Sequence, residues 1–100
     1  MKQPLVSVLM TAYNREQFIE ESIESVLAST YSNIEGIIVD DCSQDSTVDI
    51  AKKIGAKDSR IKLYVNERNL GDYPNRNRAA GYASGKYLKY VDSDDKIFRY

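Results

Sequence analysis

Nine residues, Tyr87-Leu88-Lys89-Tyr90-Val91-Asp92-Ser93-Asp94-Asp95, run from a short strand pattern into three carboxylates. In extended backbone the side chains alternate faces, so Asp92 and Asp94 share a face about 7 Å apart. Two carboxylates that close repel unless a cation sits beside them. Hard oxygen ligands on a short backbone suit Mg²⁺ or Mn²⁺, which keep several waters and a substrate phosphate as their other ligands. The same Asp-Ser-Asp-Asp also suits a turn or a helix N-cap, and the choice rests on the rest of the chain.

Two more polar clusters follow apolar runs. Thr11-Ala12-Tyr13-Asn14 follows Leu5-Val6-Ser7-Val8-Leu9-Met10, and Asp40-Asp41-Cys42-Ser43 follows Ile37-Ile38-Val39. On one edge of one sheet, the three clusters suit a nucleotide. Tyr13 can cover the flat face of a base. Asp40 or Asp41 can accept a base N–H. Asp92 or Asp94 can reach the ribose or a metal, and the metal neutralises the diphosphate. No G-x-G-x-x-G follows the first run and no G-x-x-x-x-G-K-[ST] occurs, so a metal rather than a backbone cradle must hold the phosphates.

The elements that must bring these clusters together alternate. The first apolar run is too short and too β-branched for a helix and reads as a buried strand. Asn14 reads as the N-cap of a helix with Gln17 three residues on, apolar at Phe18, Ile19, Ile23, Val26 and Leu27, and reaching about Ser29. A second buried strand spans Ile34 to Asp40. Asp45 or Ser43 caps a second helix that Gly55 stops. A third strand, Arg60 to Val65, alternates with Ile61, Leu63 and Val65 on one face. Pro74 stands near the start of a third helix that ends at Gly85. The fourth strand is Lys86 to Val91. This β-α-β-α-β-α-β order predicts an α/β domain with a parallel sheet and helices on its faces. In such sheets ligands bind beyond the carboxyl ends of the strands, where the strand order switches. All three clusters lie at such ends.

Bulk properties narrow the classes. A length of 100 residues fits one domain, 1–100, with 42% hydrophobic and 29% charged residues. A net charge of −1 gives no footprint for nucleic acid. The absence of histidine removes Ser-His-Asp and Cys-His catalysis, and a lone cysteine, Cys42, rules out an internal disulfide and a thiolate zinc site. No run of about 18 apolar residues is present, so no membrane span is expected. The expected location is cytoplasmic, with membrane association of a longer protein left open.

Taken in order, the motifs resemble the nucleotide-sugar-binding part of the inverting family 2 glycosyltransferases, with the Rossmann-like GT-A fold. The resemblance is carried by Val6 to Asn14, Ser22 to Leu27, Tyr31 to Glu35, Val39 to Thr47, Asn69-Leu70-Gly71, Arg76-Asn77, Ala83 to Tyr87 and Asp92 to Asp95. It implies a three-layer α/β/α arrangement with sheet order 3-2-1-4. It implies that Thr11, Ala12, Tyr13 and Asn14 line the uracil site with Tyr13 against the base. Asp41 would bond the base N3–H, with Asp40 beside it. Asp92-Ser93-Asp94 would be the D-x-D element, with Asp94 the direct metal ligand and Asp92 or Ser93 near the ribose. Arg76 matches a basic position near the nucleotide.

Cys42 stands where the family commonly has glycine, so the turn after Asp41 is expected to avoid positive φ. The family continues for another hundred or so residues, which carry the acceptor site and the carboxylate that acts as general base. The base is therefore expected beyond Tyr100, and none of these 100 residues is assigned that role. The expectation is a UDP-sugar donor, a glycan, lipid-linked or other acceptor of unnamed kind, and a polysaccharide-building role. These residues alone are expected to bind the donor without transferring sugar. The other class to weigh is a nonenzymatic nucleotide- or partner-binding module, which would tolerate loss of the metal. Whether a second copy covers the fourth strand's bare edge, as a homodimer, is left open by the sequence.

Overall fold

The computed structural model of the protein describes residues 4–28, 31 and 33–92. Seven elements alternate: β1 (Val6–Ala12), α1 (Ile19–Leu27), β2 (Ile34–Asp40), α2 (Thr47–Lys57), β3 (Ile61–Val65), α3 (Asp72–Tyr82) and β4 (Tyr87–Asp92). The four strands form one parallel sheet of order β3-β2-β1-β4, as the resemblance implied. Val6 pairs with Ile34 and Tyr87, and Thr11 pairs with Val39 and Asp92.

The period of two along the strands builds two cores. Val8, Met10 and Ala12 of β1 and Ile34 and Ile38 of β2 face α1 and α2, where Ile19, Ile23, Val26 and Ala51 meet them. The alternate residues Leu9, Ile37 and Val39 face α3, where Ala79 packs and Tyr64 and Tyr82 lie alongside. The rings of Tyr64 and Tyr82 stack, with centroids 3.7 Å apart. Every residue of β2 is buried, which is why Gly36-Ile37-Ile38-Val39 shows no polar alternation. β4 forms one edge of the sheet and exposes Tyr87, Leu88 and Tyr90. It is the edge at which the sequence left a homodimer open.

Four local expectations are corrected. Asn14 does not cap α1. It takes a left-handed backbone, φ 52, and α1 begins at Ile19 after a turn in which Phe18 and Ile19 donate to the Arg15 carbonyl. Gly55 does not stop α2, which runs on to Lys57 with Gly55 lying beside Ile61. Val65 is exposed, so only Ile61 and Leu63 bury the inner face of β3. α3 ends at Tyr82, short of Gly85.

Gly85 instead meets the start of β1. Its N–H donates to Ser7 Oγ at 2.8 Å, and Lys86 N–H donates to the Leu5 carbonyl at 2.9 Å. A Cβ at Gly85 would stand 2.5 Å from Ser7 Oγ, 2.7 Å from Ser7 N and 2.9 Å from the Leu5 oxygen. Gly36 is also tight, but there a Cβ would meet the Ile61 Cδ1 methyl, at 2.7 Å. A terminal methyl can rotate aside, whereas paired backbone cannot. Gly85→Ala is therefore expected to destabilise by about 3 kcal/mol and Gly36→Ala by under about 1 kcal/mol. Urea midpoints of the two variants check this, and equal shifts would refute it.

Candidate active site

The carboxyl ends of β1, β2 and β3 carry loops that are tied to one another by side chains. The β1 loop is clamped to the β2 loop. Asn14 N–H donates to Ser43 Oγ at 2.8 Å, and Gln44 N–H donates back to Asn14 Oδ1 at 2.8 Å. Arg15 N–H donates to Thr47 Oγ1 at 2.8 Å, and Glu16 N–H to Asp45 Oδ2 at 3.2 Å. Asp45 also accepts from the N–H of Thr47 at 2.9 Å, which satisfies one donor at the start of α2. Burial pushes the Asp45 carboxyl up, but the Thr47 hydroxyl and N–H and the Glu16 N–H outweigh it and hold it below its ordinary range.

Within the β2 loop the two aspartates do different work. Asp40 is fully buried, and Ser43 takes both its oxygens, N–H to Oδ2 at 2.7 Å and hydroxyl to Oδ1 at 2.5 Å. Asp40 thus shapes the turn. That turn forces Cys42 to φ 66, against the expectation that it would avoid positive φ. The strain is small beside the two hydrogen bonds that Asp40 makes across the turn, and the Cys42 thiol donates to the Glu67 carbonyl at 3.6 Å.

Asp41 points toward the β3 loop. Its Oδ1 accepts from Asn66 Nδ2 at 2.9 Å and Leu70 N at 2.7 Å, and its Oδ2 accepts from Gly71 N at 2.9 Å. A carboxylate offers about four acceptor positions. Three are filled by the chain, and the remaining one is on Oδ2. Gly71 sits at φ 91, a backbone that only glycine adopts without strain. Asn66, just past β3, is 5% exposed, and a cleft of about 460 Å³ opens beside it, lined by Val65, Asn66, Glu67, Arg68, Leu70 and Arg78.

Of the remaining sequence-predicted residues, Thr11, Ala12, Tyr13, Arg76 and the backbone of Asp92 are described. Thr11 lies half-buried near the end of β1, Ala12 closes the strand and is buried, and Tyr13 beyond it is 40% exposed. Arg76 lies half-buried on α3, its guanidinium carbon 6.0 Å from the centre of the Tyr90 ring. Asp92 closes β4 in register with Thr11. Its side chain, with Ser93 and Asp94, lies outside the described residues. So does Tyr100, beyond which the general base is expected, and no carboxylate described at this edge is assigned as that base. Among the described residues no cluster of three or more His, Cys, Asp or Glu is placed to hold a metal. The Asp92 and Asp94 carboxylates that the sequence offers for Mg²⁺ or Mn²⁺ are not among the groups described.

Asn66 and Asn75 were not singled out by sequence reasoning. Asn66 had a signal, a polar residue directly after a strand on the same sheet edge. Asn75 had a weaker one, an asparagine one helical turn before the buried Ala79.

Residues 7–99 match the profile of the family described as Glycosyl transferase family 2. An uncharacterized glycosyltransferase of Haemophilus influenzae is 46% identical over 92 residues, covering 92% of this chain and 28% of that protein. An Escherichia coli relative, the UDP-Glc:alpha-D-GlcNAc-diphosphoundecaprenol beta-1,3-glucosyltransferase WfgD, is 46% identical over 95 residues, covering 95% of this chain and 37% of that protein. The chain thus spans roughly a third of the length of these relatives. The structure of S. aureus TarS in complex with UDP superposes with a TM-score of 0.84 at 36% identity, covering 92% of this chain and 28% of that one. Its parallel sheet of order 3-2-1-4, its loops at the strand ends and this match over nearly the whole sequence show that the chain belongs to glycosyltransferase family 2, with the GT-A fold.

Proposed function

We propose that this chain is the donor-binding part of a metal-dependent, inverting glycosyltransferase that uses a UDP-sugar. The observation that carries the reading is the pairing of Thr11 with Asp92 across β1 and β4. The sheet order turns back between these two strands, and ligands of open α/β sheets bind at that switch. A relative named for a UDP-Glc donor and a structural neighbour solved with UDP support uridine as the nucleoside.

In this reading Tyr13 lies over the base, and the Thr11 to Asn14 loop walls the base site. Asp41 accepts the base N3–H on its remaining position, while Asp40 keeps the loop in shape. Asp92 and Ser93 meet the ribose, and Arg76 supplies positive charge near the diphosphate. Asp94, with Asp92, would hold Mg²⁺ or Mn²⁺, whose charge stabilises the departing diphosphate. The tied loops exist before the donor arrives, so little ordering cost falls on binding. Transfer would be a single displacement at the anomeric carbon, with the acceptor hydroxyl deprotonated by a carboxylate. We assign that base, and the site for the glycan or lipid-linked acceptor, to a region beyond Tyr100. No helix among the described residues is long and apolar enough to cross a membrane.

The test is a UDP titration followed by amide NMR, with and without Mn²⁺, on the wild type and on Asp94→Asn. Metal-dependent shifts at 11–14, 40–43 and 92–95, lost in the variant, are expected. Shifts that persist unchanged without metal and in Asp94→Asn would reject the metal-dependent reading in favour of a plain nucleotide-binding module.

A further inference from the structure

We infer that Asn66 and Asn75 are positioning residues that fix Asp41 as an acceptor with one open place, and that they thereby set the preference for a base offering a ring N–H. The inference rests on the donor-site reading above and deepens it, from where the base lies to what chooses it.

The three side chains form a buried relay. Asp41 is 4% exposed, Asn66 5% and Asn75 2%. Asn66 divides its amide donors between Asp41 Oδ1 at 2.9 Å and Asn75 Oδ1 at 2.6 Å. Asn75 in turn donates from Nδ2 to the Val39 carbonyl at 3.0 Å, so α3 is anchored to the strand that leads into Asp41. Asn66 N–H donates to the Asp40 carbonyl at 2.8 Å, which fixes the backbone from which the amide reaches.

The relay carries a cost that points to a use. Asn66 Oδ1 is buried and has no hydrogen-bond partner among the described residues. Buried polar atoms are nearly always paired, and an orphan calls for an explanation. Turning the amide over would not relieve it. The oxygen would then face Asp41 Oδ1 and Asn75 Oδ1, both acceptors. The orientation is thus dictated by the carboxylate, and the fold tolerates an unpaired oxygen in order to hold Asp41 Oδ1 by one side-chain and one backbone donor.

Held so, Asp41 cannot rotate, and its open acceptor place on Oδ2 has one direction. Uracil presents N3–H there and makes a hydrogen bond. Cytosine presents a ring-nitrogen lone pair to the same oxygen and is repelled. Once Asn66 is lost, the carboxylate can turn, and the discrimination falls with it.

The experiment measures UDP and CDP affinities by calorimetry in the presence of Mn²⁺. The proteins are the wild type, Asn66→Ala, Asn75→Ala, Asp41→Asn and the Asn66→Ala/Asp41→Asn double variant, with urea midpoints confirming that each is folded. UDP binding is expected to weaken about tenfold in Asn66→Ala, the scale of one hydrogen bond to a charged group, while CDP binding changes little. In the Asp41→Asn background the same substitution should add nothing, because residues acting through one group are not additive. Asn75→Ala leaves all donors to Asp41 in place and removes only the brace, so it should lower the UDP-to-CDP ratio by less, and it carries the test if Asn66→Ala does not fold. An unchanged ratio in the folded variants would overturn the inference, as would equal losses in both backgrounds or a wild type that binds UDP and CDP alike. A wild type that binds neither nucleotide would overturn the donor-site reading, and this inference with it.

Discussion

Replacing Asp41 by alanine is expected to remove UDP binding and to lower stability by about 3 kcal/mol, the scale of several buried donors left without an acceptor. The two effects have one cause. The Asp41 carboxylate takes Leu70 N–H, Gly71 N–H and Asn66 Nδ2, so it holds the β3 loop closed over the sheet edge. Truncation opens that loop and, in the proposed donor site, deletes the base acceptor with it. Asp41→Asn separates them. Its amide oxygen can still take the donors on one side, so it should lose less than half as much stability, yet its NH₂ would oppose Gly71 N–H and could not accept from the base. Urea unfolding and a UDP titration on both variants check this. An Asp41→Ala protein with wild-type UDP affinity would remove Asp41 from the base site.

The second large effect lies at the opposite end of the sheet. Glu35 sits within the buried run of β2 and is 4% exposed. Its carboxylate accepts from Ser7 Oγ at 2.5 Å, Ser84 N at 2.6 Å and Lys62 Nζ at 3.0 Å. It therefore joins β1, β3 and the α3–β4 connection through one side chain. Glu35→Ala is expected to cost about 3 kcal/mol, the lower end for breaking a buried ion pair, because Lys62 can return to water. Burial alone would push the Glu35 carboxyl up. The Ser7 hydroxyl, the Ser84 N–H and the Lys62 ammonium outweigh it, so the carboxyl lies below its ordinary value of 4.5. A depressed carboxyl binds its proton more weakly folded than unfolded. Its contribution is present above pH 4.5 and is lost as pH falls through the lower folded value. The stability gap between wild type and Glu35→Ala, measured in urea at steps from pH 7 down to pH 3, should be flat above about pH 5 and shrink below it. A gap that widens on acidification would contradict this account.

The elements were legible because they obey period and punctuation. Ile34–Asp40 follows from its apolar run, and the three polar clusters follow strands as the α/β pattern requires. The strand order came from the resemblance, not from any periodicity. What stayed illegible was tertiary. Asn14 looks like a cap because its type and the glutamine three residues on fit one, yet its backbone N–H donates to Ser43 and its side-chain oxygen accepts from Gln44 N–H, 29 and 30 residues along. Gly85 looks like a helix stop, yet it is small because β1 passes against it. Asp41's partners lie 25, 29 and 30 residues away, so nothing local announces which of the adjacent aspartates keeps an acceptor place. Glu35 had the clearest neglected signal, a charge between Ile34 and the apolar Gly36-Ile37-Ile38-Val39 of a buried strand.

The register of β1 has a consequence for how the protein is made. β1 emerges first, and one of its edges is taken by β2, which is complete at residue 40. Its other edge waits for β4, which begins at residue 87. At translation rates of about 5–20 residues per second, that edge stays unpaired for several seconds. It is a row of bare N–H and C=O groups along Val-Ser-Val-Leu-Met-Thr, apolar on both faces except at its serine and threonine. Such an edge is a template for pairing with another nascent chain. The arrangement that puts the proposed donor site between β1 and β4 also leaves β1 half-paired on the ribosome until β4 arrives.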